Sequence, residues 1–321
     1  MTLANSLRAG MFGAGLLCAA PATAQTARLA IPANFTDAMP FADGYAAVRI
    51  SAGWGYLNLQ GFMMLQPDYD EVTQFSDGMA AARLGEQWGY IDHDGIFQLA
   101  PSLAYASAYA NGNSTFAVNV NGVLKYGVMN NHWDLITKPT WGEKLDFHDG
   151  PSVVRTMNGK PLPPIAPAAP PPSGPFKYGY INLQSVFVIP AKYDGALAFQ
   201  NGLAAVMSAG KWGYVDFDGK MVIEPKFSAG GFFSENLAAE PGEGGKFGYI
   251  DKSGNFAIAA RFDEARQFSE ARAAVKLDGK WGFIDTSGKF TITPQFADAR
   301  EFSQGMAPVK VGELWGYVRD E

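Results

Sequence analysis

The chain has 321 residues, 47% hydrophobic and 13% aromatic, too apolar for an intrinsically disordered protein. Its 25 basic and 31 acidic residues give a net charge of −6, which argues against nucleic acid or an anionic membrane as the main partner. The single cysteine, Cys18, excludes a disulfide framework, and the 37 glycines and 20 prolines point to many turns.

Residues 1–24 read as an export leader. Arg8 gives a positive start, and residues 9–20 form an apolar run too short to span a bilayer. Ala22-Thr23-Ala24 supplies an A-x-A cleavage pattern before Gln25. Cleavage is expected between Ala24 and Gln25, with the mature chain periplasmic or secreted. Lipidation at Cys18 is disfavoured because Leu17 stands where that signal requires a small residue. The mature chain would carry no cysteine and no second apolar span. It would hold itself together by core burial and strand pairing alone.

From residue 25 onward one unit repeats. Its mark is an aromatic-Gly-aromatic step at Trp54-Gly55-Tyr56, Trp88-Gly89-Tyr90, Trp212-Gly213-Tyr214, Phe247-Gly248-Tyr249, Trp281-Gly282-Phe283 and Trp315-Gly316-Tyr317. Weaker copies are Tyr126-Gly127-Val128 and Tyr178-Gly179-Tyr180. Successive first positions lie 34, 38, 52, 34, 35, 34 and 34 residues apart. The long step contains a proline-rich run at 161–175, which cannot donate ladder hydrogen bonds. The pattern resumes in phase behind it, so it reads as a loop inserted into one repeat of a single domain, 25–321.

Within a unit, residues 272–276 and 280–285 predict two strands. A tight Asp285-Thr286-Ser287-Gly288 turn follows, then a third strand over 289–293 stopped by Pro294. Phe296, Ala299 and Phe302 lead to the next copy. Gly282 inside a strand implies close approach by a neighbour, which the small Ala273 and Ala274 suit. The fold class is therefore all-β, with about eight tandem repeats of ~34 residues, each too small to be stable alone. The chain ends are complementary. Residues 27–32, with Phe35, Ala38 and Phe41, supply what the last unit lacks after Trp315-Gly316-Tyr317-Val318. That favours a closed, propeller-like ring over an open curved stack.

These residues and their spacing resemble the WG-repeat proteins of bacteria over residues 28–321. The family is defined by its repeat. The resemblance implies no common activity, cofactor or catalytic residue.

Catalytic signatures such as H-E-x-x-H, G-x-S-x-G and the P-loop are absent, so no catalytic residue, metal or cofactor is expected. The Asp-x-Asp-Gly turns at 92 and 216 offer hard oxygens, but other copies carry Ser253 or Ser287 there, which favours turn chemistry over calcium. Regularly recurring aromatics have a packing role between copies. His132, Trp133 and Trp141 fall in the irregular stretch and are the candidate binding residues. The expected function is an exported scaffold binding an envelope protein, peptide or glycan. The alternative is an envelope polysaccharide or peptidoglycan hydrolase or lyase using carboxylates from several repeats.

Overall fold

The computed structural model describes residues 27–147, 149–164 and 175–319. The expected leader, its cleavage site, His148 and most of the proline-rich run lie outside these residues. Every regular element described is a β-strand, and the strands form eight four-stranded antiparallel sheets. No helix of the described residues is long and apolar enough to cross a membrane.

The sheets are the blades of a closed eight-bladed propeller. The seventh consists of Glu264–Ser269, Arg272–Leu277, Lys280–Asp285 and Phe290–Phe296, in that order from the innermost strand outward. The tail after each third long strand becomes the innermost strand of the next blade. It is often only two residues long, as in Asp37–Ala38 and Glu71–Val72. This is how a 34-residue unit can build a four-stranded blade.

Phe290–Phe296 runs through Pro294, which the sequence marks as its end. The strand is outermost, so only one edge is paired, and its register shifts between Phe283↔Ile292 and Trp281↔Phe296. At such an edge the missing proline N–H leaves no ladder bond unmade. The same irregularity explains the invariable glycine. A Cβ on Gly282 would lie 2.5 Å from the Ile292 carbonyl oxygen, and one on Gly55 would meet Leu65 O at 2.5 Å. The close neighbour is thus the outer strand, not Ala273 or Ala274 on the inner side.

The ring closes where the complementary ends meet. Leu29–Phe35 pairs antiparallel with Leu314–Arg319, with Leu29 opposite Val318 and Phe35 opposite Trp315. The N-terminal strand is thereby the outermost strand of the eighth blade.

Neighbouring blades are joined by one recurring device. The second aromatic of the step packs on a ring of the next blade. Examples are Tyr56 on Phe75 at 4.7 Å, Tyr249 on Phe268 at 4.7 Å and Phe283 on Phe302 at 4.8 Å between centroids. Tyr317 on Phe41, at 5.1 Å, carries the device across the closure. Where the residue is tyrosine, its hydroxyl donates to a carbonyl of the next blade. Tyr56 reaches Thr73 O at 2.7 Å and Tyr317 reaches Met39 O at 2.8 Å. Hairpin tips near the axis are also linked blade to blade. Gly78 N–H donates to Asp43, Gly112 N–H to Asp77, Gly305 N–H to Glu270 and Gly44 N–H to Gln304.

Candidate functional site

Seven of the eight seams between blades hold that aromatic pair. The eighth, between the third and fourth blades, does not. Val128, in the strand Val123–Asn130, stands where the other blades have tyrosine or phenylalanine. Its counterpart across the seam, Phe147, is only partly buried. A tyrosine at 128 would bond the Leu145 carbonyl, seventeen residues on as in the other blades. Thr115, directly opposite Val128 in the sheet, donates to that carbonyl instead. Five other blades have alanine at this position: Ala47, Ala81, Ala205, Ala239 and Ala274. The hydroxyl of the lost tyrosine is thus replaced, and its ring is not.

The fourth blade opens the seam further. Its innermost strand does not arrive from the preceding blade. Ser152–Met157 turns back on itself, and Lys160–Pro161 pairs along its edge. Leu162 N–H then donates to Arg155 O at 3.2 Å, as Thr36 N–H does to Arg49 O in the first blade. Residues 144–147 are left outside the sheet. Glu143 substitutes for the displaced backbone: its carboxylate accepts from Arg155 N at 2.7 Å and Nε at 2.8 Å. In sequence, residues 158–175 separate Ser152–Met157 from Phe176–Ile181, and these two strands pair directly.

The result is a cavity of about 370 Å³ lined by Tyr105, Tyr109, Ser114, Thr115, Val128 and Phe147, among others. Ser114 and Thr115 are buried polar residues, and the Ser114 and Tyr90 hydroxyls share a hydrogen bond at 2.7 Å. Burial pushes the Tyr90 and Tyr109 phenols up, so both stay neutral hydroxyls at physiological pH. The exposed Lys144 ammonium lies 3.8 Å from the centroid of the Tyr105 ring. One carboxylate, Asp146, borders the cavity. The paired carboxylates a glycosidase needs are not brought together here. Among the described residues, no group of three or more His, Cys, Asp or Glu could hold a metal ion.

The three predicted site residues belong to this third blade, but not as the sequence suggests. Trp141 is in frame: it lies opposite Tyr126 as Phe296 lies opposite Trp281. At 8% exposure, packed with Val128 and Leu145, it is a core residue behind the cavity and not an exposed anchor. Trp133 is also in frame. It occupies the turn position that Gly95, Gly219, Gly254 and Gly288 occupy elsewhere, with φ of 68°. A bulky residue in that conformation costs about 1 kcal/mol or more. The indole packs on Tyr90 at 5.6 Å and Tyr109 at 6.3 Å. His132, beside it, is exposed. Asn130 Oδ1 accepts from the backbone of His132 and Asp134, just as Asp92 Oδ1 accepts from Asp94 and Ile96. The Asp92 turn therefore uses its carboxylate for backbone bonds. His93, in the same turn, stacks on Tyr45 at 4.7 Å.

Two functional-looking residues carry little sequence signal. Val128 is visible only as a break in an aromatic column. Glu240 lies fully buried opposite Gly248, where other blades have Val48, Val206, Val275 and Val309. It accepts from Tyr214 Oη and from Gly231 N at 2.8 Å, and its Oε2 has no hydrogen-bond partner. Burial raises its carboxyl to about 7 against these stabilising bonds.

A family model described as a WG containing repeat matches residues 25–51, 54–88, 178–212, 212–239, 247–281 and 281–315, more than half of the chain. The unmatched stretch between 88 and 178 contains the third blade and the open seam. No curated protein matches the sequence. Among solved structures, BamB from Moraxella catarrhalis is similar with a TM-score of 0.51 at 10% identity, covering 93% of this chain and 99% of its own. A eukaryotic initiation factor is similar with a TM-score of 0.51 at 11% identity, covering 83% and 79%. At these identities the likeness is one of fold.

Proposed function

Because this chain belongs to the WG-repeat family and closes its repeats into an eight-bladed ring, we propose that it is an exported recognition scaffold, whose third and fourth blades engage a protein, peptide or glycan of the cell envelope. Residues 1–24 direct export, and the mature chain starts at Gln25. His132 and Trp133 form the rim of the contact surface, and Trp141 holds the wall behind it.

One observation carries this reading: seven seams are packed by the same ring pair, and the eighth is left open, hydroxyl-lined and partly exposed. Packing must repeat around a ring, whereas a ligand site need not. Trp133, held in a glycine conformation, is a second departure in the same blade, packed on Tyr109, whose other side lines the cavity.

The mature protein should bind members of an envelope peptide and glycan array. Doubling His132→Ala with Trp133→Ala should weaken that binding at least tenfold while leaving the fold intact. Mass spectrometry of the exported protein should find Gln25 at its start. Retention of residues 1–24, or array binding indifferent to the double variant, would overturn the reading.

A further inference from the structure

We propose that the cavity between the third and fourth blades is a receptor for one aromatic side chain of a partner polypeptide, which enters it as the ring missing from the eighth seam. This rests on the recognition role above and names its ligand class. The other seven seams describe the occupant. Each places a phenyl or phenol ring 4.7–5.1 Å from a ring of the next blade. At the open seam the receiving half of that pair, Phe147, is present and the inserted half is not. The space suffices: a cavity of ~150 Å³ already accepts benzene, and this one is about 370 Å³.

The polar lining selects tyrosine over an aliphatic side chain. In five seams a tyrosine hydroxyl reaches the carbonyl seventeen residues on, and Tyr317 reaches the equivalent Met39 O across the closure. Here the equivalent carbonyl, Leu145 O, takes one bond from Thr115. A carbonyl oxygen has two lone pairs, so a second donor can be accommodated. Ser114 Oγ and the Tyr109 phenol are further hydroxyls at the wall. Each of these groups already has one partner, and a phenol, unlike an aliphatic knob, can add a second hydrogen bond to them.

The test titrates N-acetyl-tyrosinamide, with N-acetyl-leucinamide as comparison, into the mature protein under methyl-resolved NMR. The expected result is saturable shifts at the Val128 and Leu145 methyls for the tyrosine probe, with binding at least tenfold weaker for leucine. Val128→Tyr fills the gap from within and should abolish the saturation without lowering the melting temperature. Absence of saturation at those methyls, equal binding of the leucine probe, or undiminished binding by a folded Val128→Tyr would each overturn the proposal. Should Val128→Tyr not fold, intermolecular NOEs between the probe ring and Phe147 in the unaltered protein decide: present supports, absent refutes. Probe binding by a protein that captures nothing from the array would sink the recognition role and leave the receptor standing. Array binding that survives Val128→Tyr would do the reverse.

Discussion

The seam between the seventh and eighth blades and the seam between the third and fourth are built from the same repeat and end differently. In the first, Phe283 meets Phe302 at 4.8 Å inside a cluster that includes Trp281, Ala274 and Val309. In the second, Val128 faces a partly buried Phe147, and the strand that should line the inner edge is supplied by a hairpin turning back. The difference teaches that a ring of repeats can carry a local defect. Each blade packs mainly on its two neighbours, so loss at one seam does not propagate. The defect is patched where the backbone would otherwise be left unbonded, by Thr115 and by Glu143, and left open where only apolar volume is missing.

The largest test of this comparison concerns closure, because a ring can tolerate an open seam only while it stays a ring. Removing residues 312–321 deletes the partner of Leu29–Phe35. We expect the melting temperature of the whole protein to fall by roughly 10 °C or more in a single transition. A thermogram in which most of the heat absorption stays in place would show that the blades do not depend on closure. Next in size are single core truncations. Phe302→Ala and Trp281→Ala, in the packed seam, should each cost about 3–5 kcal/mol in denaturant melts. Phe147→Ala, in the open one, should cost ~1–2 kcal/mol, and so should Trp133→Ala, at the outer end of the seam between the second and third blades, since neither side chain is fully buried. A loss at Phe147 equal to that at Phe302 would mean that the irregular seam is packed as tightly as the rest.

Glu240 gives a contrast of another kind, a filled seam with a polar flaw. Its carboxyl is raised to about 7, so the folded state holds the proton more tightly than the unfolded chain does. Its contribution is therefore intact below about pH 4.5 and is lost as pH rises through about 7, by about 3 kcal/mol at the limit. Glu240→Val adopts the residue of other blades and leaves Tyr214 its Gly231 carbonyl. Urea melts from pH 4 to 8 should show that slope in the unaltered protein and not in the variant. The smallest effect is the repair: Val128→Tyr should raise stability by about 1 kcal/mol by filling the gap. A loss instead would mean that the surrounding walls have settled around the valine.

Much of the architecture is legible before any coordinates. The Trp-Gly-Tyr spacing gives about eight units, and the fragment at 27–41 favours a closed ring over an open stack, because its strand completes the last unit. The Asp285 and Asp92 turns are equally readable, since a side chain that bonds its own turn is local chemistry. What escapes is whatever depends on a neighbouring strand. Pro294 looks like a stop until its outer edge is seen to be unpaired. Trp141 looks extraneous until Tyr126 is seen opposite it, because the 38-residue step hides the register. The cavity itself follows from one letter, Val128, whose meaning lies in the ring that should have crossed to Phe147.

The closing strand also governs how the chain can reach its native state. Leu29–Phe35, the first of the described strands, pairs with Leu314–Arg319, the last of them. No local contact can stand in for that pairing, and bridging so long a loop is slow. Until it happens, the early strand and the growing last sheet are both raw edges, open to proteases or to the matching edge of another copy. Every polypeptide cut short before its final strand is left with such an edge exposed. Capping both edges at once is therefore a job that one late pairing does for two distant parts of the ring.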